Sequence, residues 1–140
     1  MIQTKVIATI AIVLSSFSGF SQKDQSIATI DVTRAKQAYE KEAMYFYEHN
    51  WKAFREEALK LKYISGYQLI RTSPDTTGWF NIILITQFQD SVQRKKVEEN
   101  FRPIMNRLSP NGPRMLNDVK RSEFLKPAGS YVGKTVFADK

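Results

Sequence analysis

Trp79-Phe-Asn-Ile-Ile-Leu-Ile-Thr-Gln-Phe-Gln89 is the stretch whose reading decides the fold. Phe80, Ile82, Leu84, Thr86 and Phe88 fall on one side of an extended chain. Trp79, Asn81, Ile83, Ile85 and Gln87 fall on the other. A strand apolar on both sides is a central strand that needs cover on both faces. It follows the loop Ser73-Pro-Asp-Thr-Thr-Gly78, dense in turn formers, and precedes Asp90-Ser91, which reads as a helix cap.

Upstream, Ile64–Thr72 reads as another strand, and Arg34–Tyr63 contains no Gly or Pro. There, Ala35, Tyr39, Ala43, Phe46, Tyr47, Asn50, Phe54, Ala58 and Leu61 recur at steps of three and four. That pattern predicts one amphipathic helix about 45 Å long. The sequence leaves open whether so long a helix runs straight or breaks near His49-Asn50. Ser26–Thr33 alternates Ala28, Ile30 and Val32 with Thr29, Asp31 and Thr33, the pattern of a short strand. Downstream, Val97, Phe101, Ile104, Met105 and Leu108 mark a second helix, stopped by Ser109-Pro-Asn-Gly-Pro113. Asn117–Leu125 fits a fourth strand, and Lys126 onward reads as a Gly-containing tail ending in Val136-Phe137.

The order β-α-β-β-α-β predicts an α+β, ferredoxin-like domain: a four-stranded antiparallel sheet with two helices on one face. The helices cover one face, so the second apolar side of the central strand calls for a second copy of the chain. The expected organisation is a leader over 1–21, a domain over 22–126 and a tail over 127–140.

The leader is read from Lys5, the apolar run Val6–Leu14 and the small-x-small triplet Gly19-Phe20-Ser21. These are the parts of an export signal in their usual order. The run breaks into serines short of the ~20 apolar residues a membrane span requires. Without Cys a lipoprotein is excluded, so the expected product is soluble in the periplasm or outside the cell, with no transmembrane span.

Composition narrows the chemistry. The chain has 140 residues, 21 Lys+Arg against 14 Asp+Glu, one His and no Cys. That inventory excludes disulfides, thiol catalysis, Fe–S clusters and Cys-based zinc sites, and no metal site is expected. The net charge of +7 admits acidic partners, but the cations are dispersed without an aromatic-interleaved RNA motif, so no nucleic-acid partner is expected. No nucleotide-binding loop, nucleophile elbow, zinc-protease helix or calcium loop is present.

Glu48-His-Asn-Trp-Lys-Ala-Phe-Arg-Glu-Glu57, Tyr63-Ile-Ser-Gly-Tyr-Gln-Leu-Ile-Arg71 and Asp118-Val-Lys-Arg-Ser-Glu-Phe-Leu125, set in the βαββαβ order, resemble the dimeric α/β-barrel superfamily. That superfamily includes antibiotic-biosynthesis-monooxygenase-like and NIPSNAP-like domains. The resemblance covers about residues 26 to 125. It implies a homodimer with a cavity between sheet and helices in each protomer. It admits cofactor-free oxygenases, haem-degrading enzymes and exported proteins of undefined role. Haem-degrading members use an Asn, a Trp and a His. The single His of this chain lies in the first helix rather than the second, and no cofactor is expected.

Within that frame the candidate ligand-binding residues are Asn50, Trp51, Arg55, Trp79, Asn81 and Arg121. Asn50 is an amide in an apolar stripe and must find hydrogen-bond partners if buried. Trp51 and Arg55, one helical turn apart, could stack on an aromatic ligand and bond an acidic one. Trp79 and Asn81 share the less apolar face of the central strand, which Arg71, Arg121 and Glu123 could reach. Glu123 is the one candidate acid/base, and His49 the one candidate for haem iron. Each has a plainer alternative in core packing or surface ion pairs. The function expected is a homodimeric domain holding a small apolar or anionic ligand in a sheet–helix cavity. A cofactor-independent, monooxygenase-like enzyme and a cationic module for an anionic surface are the alternatives.

Overall fold

A computed structural model describes residues 26–136. The expected leader lies outside the described residues, as do the last four residues of the expected tail. Among the described residues, no helix is long and apolar enough to cross a membrane.

Four strands form one antiparallel sheet: β1 (Ile27–Lys36), β2 (Gly66–Arg71), β3 (Trp79–Phe88) and β4 (Leu125–Lys134), in the spatial order β2-β3-β1-β4. The chain order is strand, helix, two strands, helix, strand, and β1 and β3 occupy the centre. Their register pairs Thr29 with Thr86, Asp31 with Leu84, Thr33 with Ile82 and Ala35 with Phe80. Along β3 buried and half-buried residues alternate without a break, as the two-sided pattern predicts.

The first helix spans Glu40–Lys60 in three parts: α1 (Glu40–Phe46), a π-helical segment (Tyr47–Lys52) and α2 (Ala53–Lys60). The irregularity falls where His49 and Asn50 stand, and these two side chains account for it. His49 Nδ1 lies 3.0 Å from the Tyr45 carbonyl, and Asn50 Nδ2 donates to the Phe46 carbonyl at 2.8 Å. Two consecutive side chains bonding to carbonyls four residues back compete with the helical ladder, and the wider turn accommodates them. Ala43, Phe46, Tyr47, Asn50, Phe54 and Ala58 are buried as the stripe predicts, whereas Leu61 is 45% exposed. Trp51, read as a flanking residue, is buried in the core.

The second helix is α3 (Ser91–Lys95) followed after Lys96 by α4 (Val97–Leu108). Asp90 caps it, its carboxylate accepting from the Gln93 N–H at 2.7 Å. The fourth strand is not at Asn117–Leu125. Arg121–Phe124 form a single helical turn, α5, and β4 begins at Leu125, the last residue of that segment, and runs to Lys134 through residues read from sequence as a tail. The glycines and the proline of Leu125–Lys134 weaken a strand signal, but as an edge strand β4 tolerates Pro127 and carries a bulge opposite Val32/Thr33. Phe124 and Leu125 are buried and anchor this junction.

The core between sheet and helices has two parts. One gathers Ala35, Ala43, Phe46, Tyr47, Trp51, Phe80, Ile82, Leu84, Phe124 and Leu125. The other gathers Phe54, Ala58, Ile64, Phe88, Phe101 and Ile104. Along β3 they divide at Thr86, a buried hydroxyl between Leu84 and Phe88.

Candidate functional site

Strand β1 turns its polar side toward the helices. Ala35 is fully buried on that side, so alternation places Thr33, Asp31 and Thr29 there too. Ala28, Ile30 and Val32 point to the opposite face. The polar row therefore lines the helix-covered layer, and the apolar row faces away from it.

Opposite Thr33, Asp31 and Thr29 stands one stripe of the first helix: Tyr47, Trp51 and Arg55, at steps of four. Four strand steps cover about 13 Å and eight helical steps about 12 Å, so the two rows match in length. Tyr47 stands beside Thr33 at one end, where both line a cavity. Arg55 Nε donates to Thr86 Oγ1 at 3.3 Å at the other, and Thr86 is the cross-strand partner of Thr29. Asp31 lies between, held by a hydrogen bond from Ser130 Oγ, and its charge acts on both Tyr47 and Arg55.

The electrostatics follow from burial. Burial pushes the Tyr47 phenol above its ordinary value; Thr33 and the nearby Arg121 charge oppose this, and Asp31 reinforces it. Burial lowers the Arg55 guanidinium to about 10, with Asp31 acting the other way, so Arg55 is cationic at neutral pH. Its carbon stands 4.8 Å from the Trp51 ring centroid and 4.7 Å from that of Phe101, a cation between two aromatic rings. Among the described residues no carboxylate lies within ion-pair distance of it. Nearby, the Trp51 indole N–H is buried without a hydrogen-bond partner, and the ring packs edge-on against Tyr67 at 5.7 Å.

Two concavities open at the two ends of these facing rows. At the Arg55 end a cavity of about 440 Å³ is lined by Arg55, Val97, Glu98, Phe101, Arg102, Met105 and Asn106. At the Tyr47 end one of about 580 Å³ is lined by Thr33, Phe46, Tyr47, Arg121 and Leu125, with Ser122 and Pro127. Both volumes lie in the range that holds small ligands.

The structure distributes the sequence candidates over several places. Trp51 and Arg55 meet in the helix row. Arg121, on α5, stands at the Tyr47 end, 5.4 Å from the Phe46 ring centroid. Asn50 binds backbone: Nδ2 donates to the Arg114 carbonyl at 2.8 Å and Oδ1 accepts from the Arg114 N–H at 2.7 Å. His49 stacks on Tyr45 with ring centroids 3.8 Å apart. Glu123 sits on α5, not on a strand, and its carboxylate accepts from the Lys120 N–H that begins the same turn. Trp79 and Asn81 lie on the other face of the sheet. Asp31, Thr33, Tyr47 and Thr86 are the site residues that sequence reasoning passed over. Their signal was the Thr-x-Asp-x-Thr alternation of β1, which by itself does not say which side meets the helices.

Among the described residues no cluster of His, Asp and Glu could hold a metal ion. No known family model matches the chain, and no curated protein or solved structure shows a significant match to it.

Proposed function

We propose that this protein is a binding domain for a small ligand with an apolar body and one acidic group, held in the cavity that Arg55 of the first helix shares with α4. The observation that carries this reading is Arg55: a cation between two aromatic rings, with one N–H on Thr86 and its terminal N–H groups without a carboxylate. A desolvated charge without a partner costs several kcal/mol, by order of magnitude. An incoming carboxylate would offset that cost with a pair of charge-assisted hydrogen bonds. Val97, Phe101 and Met105 supply an apolar wall beside it.

The same reading takes the strand order β2-β3-β1-β4 as ferredoxin-like, and the domain as one half of a dimeric α/β barrel. What supports the second copy is the face of the sheet away from the helices. It carries Ile30 and Val32 of β1, Ile83 and Ile85 of β3, Ile70 of β2 and Tyr131 of β4, placed side by side by the register. Ile70 is 45% and Tyr131 59% exposed in the single chain. A contiguous apolar sheet face of this kind is the mark of a self-complementary interface. The apolar run Val6–Leu14 and the small-x-small triplet Gly19-Phe20-Ser21 support export of the protein.

The test compares 2-naphthoate with the neutral 2-naphthalenemethanol, followed by Trp fluorescence and calorimetry. The carboxylate should bind at least tenfold more tightly, and Arg55→Gln should erase the difference. Equal binding of acid and alcohol by the wild-type protein would overturn the reading.

A further inference from the structure

A second site lies at one end of the sheet face turned away from the helices, past the apolar rows of Ile30, Val32, Ile83 and Ile85 that the proposed second copy would cover, where β1 ends and β3 begins. The Trp79 ring has three cations around it: Lys126 Nζ at 5.0 Å from its centroid, Lys36 Nζ at 5.5 Å and Arg34 Cζ at 5.5 Å. The register explains the convergence. Lys36 is the cross-strand partner of Trp79, and Arg34 that of Lys126, so three neighbouring strands deliver these side chains to one corner. Arg34 is neutralised by Asp75 at 2.6 Å. Among the described residues Lys36 and Lys126 have no ion-pair partner. Each ammonium is held at the indole by cation–π attraction, and neither is neutralised by a carboxylate.

The turn beneath is rigid. One oxygen of Asp75 accepts from the Thr77 N–H at 2.8 Å, the Thr77 hydroxyl at 2.6 Å and the Trp79 N–H at 3.1 Å. These bonds, with Arg34, hold the Asp75 carboxyl below its ordinary range. Gly78 takes a φ of 74°, a conformation open to glycine, and its carbonyl accepts from the Gln37 N–H at 2.9 Å. The result is a fixed concavity of about 530 Å³ walled by Lys36, Gln37, Ala38, Thr77, Gly78 and Trp79.

We infer that this corner binds an acidic polysaccharide. The indole offers a flat apolar surface to the C–H face of a sugar ring, and Lys36 and Lys126 pair with the carboxylates or sulfates carried by neighbouring sugars. A lipid surface is the other anionic partner to weigh. It fits less well, because among the described residues none of the exposed large apolar side chains belongs to this corner to enter the acyl layer beside Trp79.

The experiment uses purified protein, polygalacturonate oligosaccharides and, in parallel, vesicles of phosphatidylglycerol with phosphatidylcholine. Lys36→Gln combined with Lys126→Gln should weaken oligosaccharide binding tenfold or more at moderate salt. Lys60→Gln with Lys62→Gln, the same change in charge elsewhere, should alter it less than twofold. Trp79→Phe should keep partial binding and Trp79→Ala lose it, with naphthoate binding at Arg55 unchanged in both. Equal loss in the two lysine pairs would reduce the effect to net charge and overturn the proposal. Binding to vesicles but not to the oligosaccharide would overturn it in favour of lipid. A change from dimer to monomer in the Lys36/Lys126 variant would assign the corner to an interface and overturn it as well.

Discussion

Asn50 and Arg114 are joined through both ends of one amide: the side-chain NH2 donates to the Arg114 carbonyl at 2.8 Å, and the side-chain oxygen accepts the Arg114 N–H at 2.7 Å. A residue in the middle of the first helix thereby fixes the loop between α4 and α5. It does so from the π-helical segment its other bond, to Phe46, helps create. Asn50→Ala leaves the Arg114 backbone N–H and C=O without these partners in a part-buried setting, and should cost about 1–3 kcal/mol. Asn50→Asp should cost at least as much, because the carboxylate keeps the acceptor and loses both donated bonds. Urea unfolding of the two variants checks this, and a loss below about 0.5 kcal/mol in both would sink it.

Arg55 separates binding from stability. In a purely structural role its replacement would be costly. As a cation held between two rings without a carboxylate, its desolvation offsets much of what its packing contributes. Arg55→Met keeps the stem and the volume between Trp51 and Phe101. It should leave stability within about 1 kcal/mol of wild type while abolishing preferential binding of 2-naphthoate. A loss of several kcal/mol on thermal unfolding would make Arg55 part of the scaffold instead.

Tyr47 governs part of the alkaline response. Burial raises its folded pKa above the ordinary value of 10.0, so the unfolded chain ionises first as pH rises. The contribution is complete below the unfolded pKa and is lost as pH climbs through the folded one. Tyr67 is raised by burial too, and Arg55 acts with the opposite sign, so the informative quantity is a difference. The stability gap between wild type and Tyr47→Phe, measured at matched pH, should narrow from pH 9 to pH 11, by about 2.303RT per pH unit at most. A gap constant over that range would contradict the assignment.

The outer sheet face makes its own prediction. Ile83 and Ile85 belong to the strand with the most regular alternation in the chain, and they face away from the helices. If this face joins two copies as proposed, wild type is a dimer at micromolar concentration and Ile83→Lys should be a monomer with far-ultraviolet dichroism intact. Light scattering reads the outcome, and a variant of unchanged mass would remove this face from the interface.

The central strand was the most legible element because its alternation is a local property, and so was the Asp90 cap. The buried stripe from Ala43 to Ala58 was equally open to reading. The π-helical turn was not: it depends on where the His49 and Asn50 side chains find acceptors, which the polypeptide pattern leaves undecided. β4 was missed because Pro127, Gly129 and Gly133 look like a tail, and only pairing with β1 makes them an edge strand. Trp51 and Arg55 were found as neighbours by their spacing. Their partners Asp31 and Thr86 were not, because which side of β1 meets the helices is settled by Ala35 and by the register with β3. Trp79 and Arg121 were grouped with the others on type and fall at separate places.

The measurement that tests the central claim most directly is native mass spectrometry of residues 22–140 titrated with 2-naphthoate, wild type beside Arg55→Gln. The account predicts a wild-type dimer that takes up one naphthoate per protomer, and an Arg55→Gln dimer that takes up none at the same concentrations. The same occupancy in both proteins, or no uptake by the wild type at millimolar ligand, would contradict it.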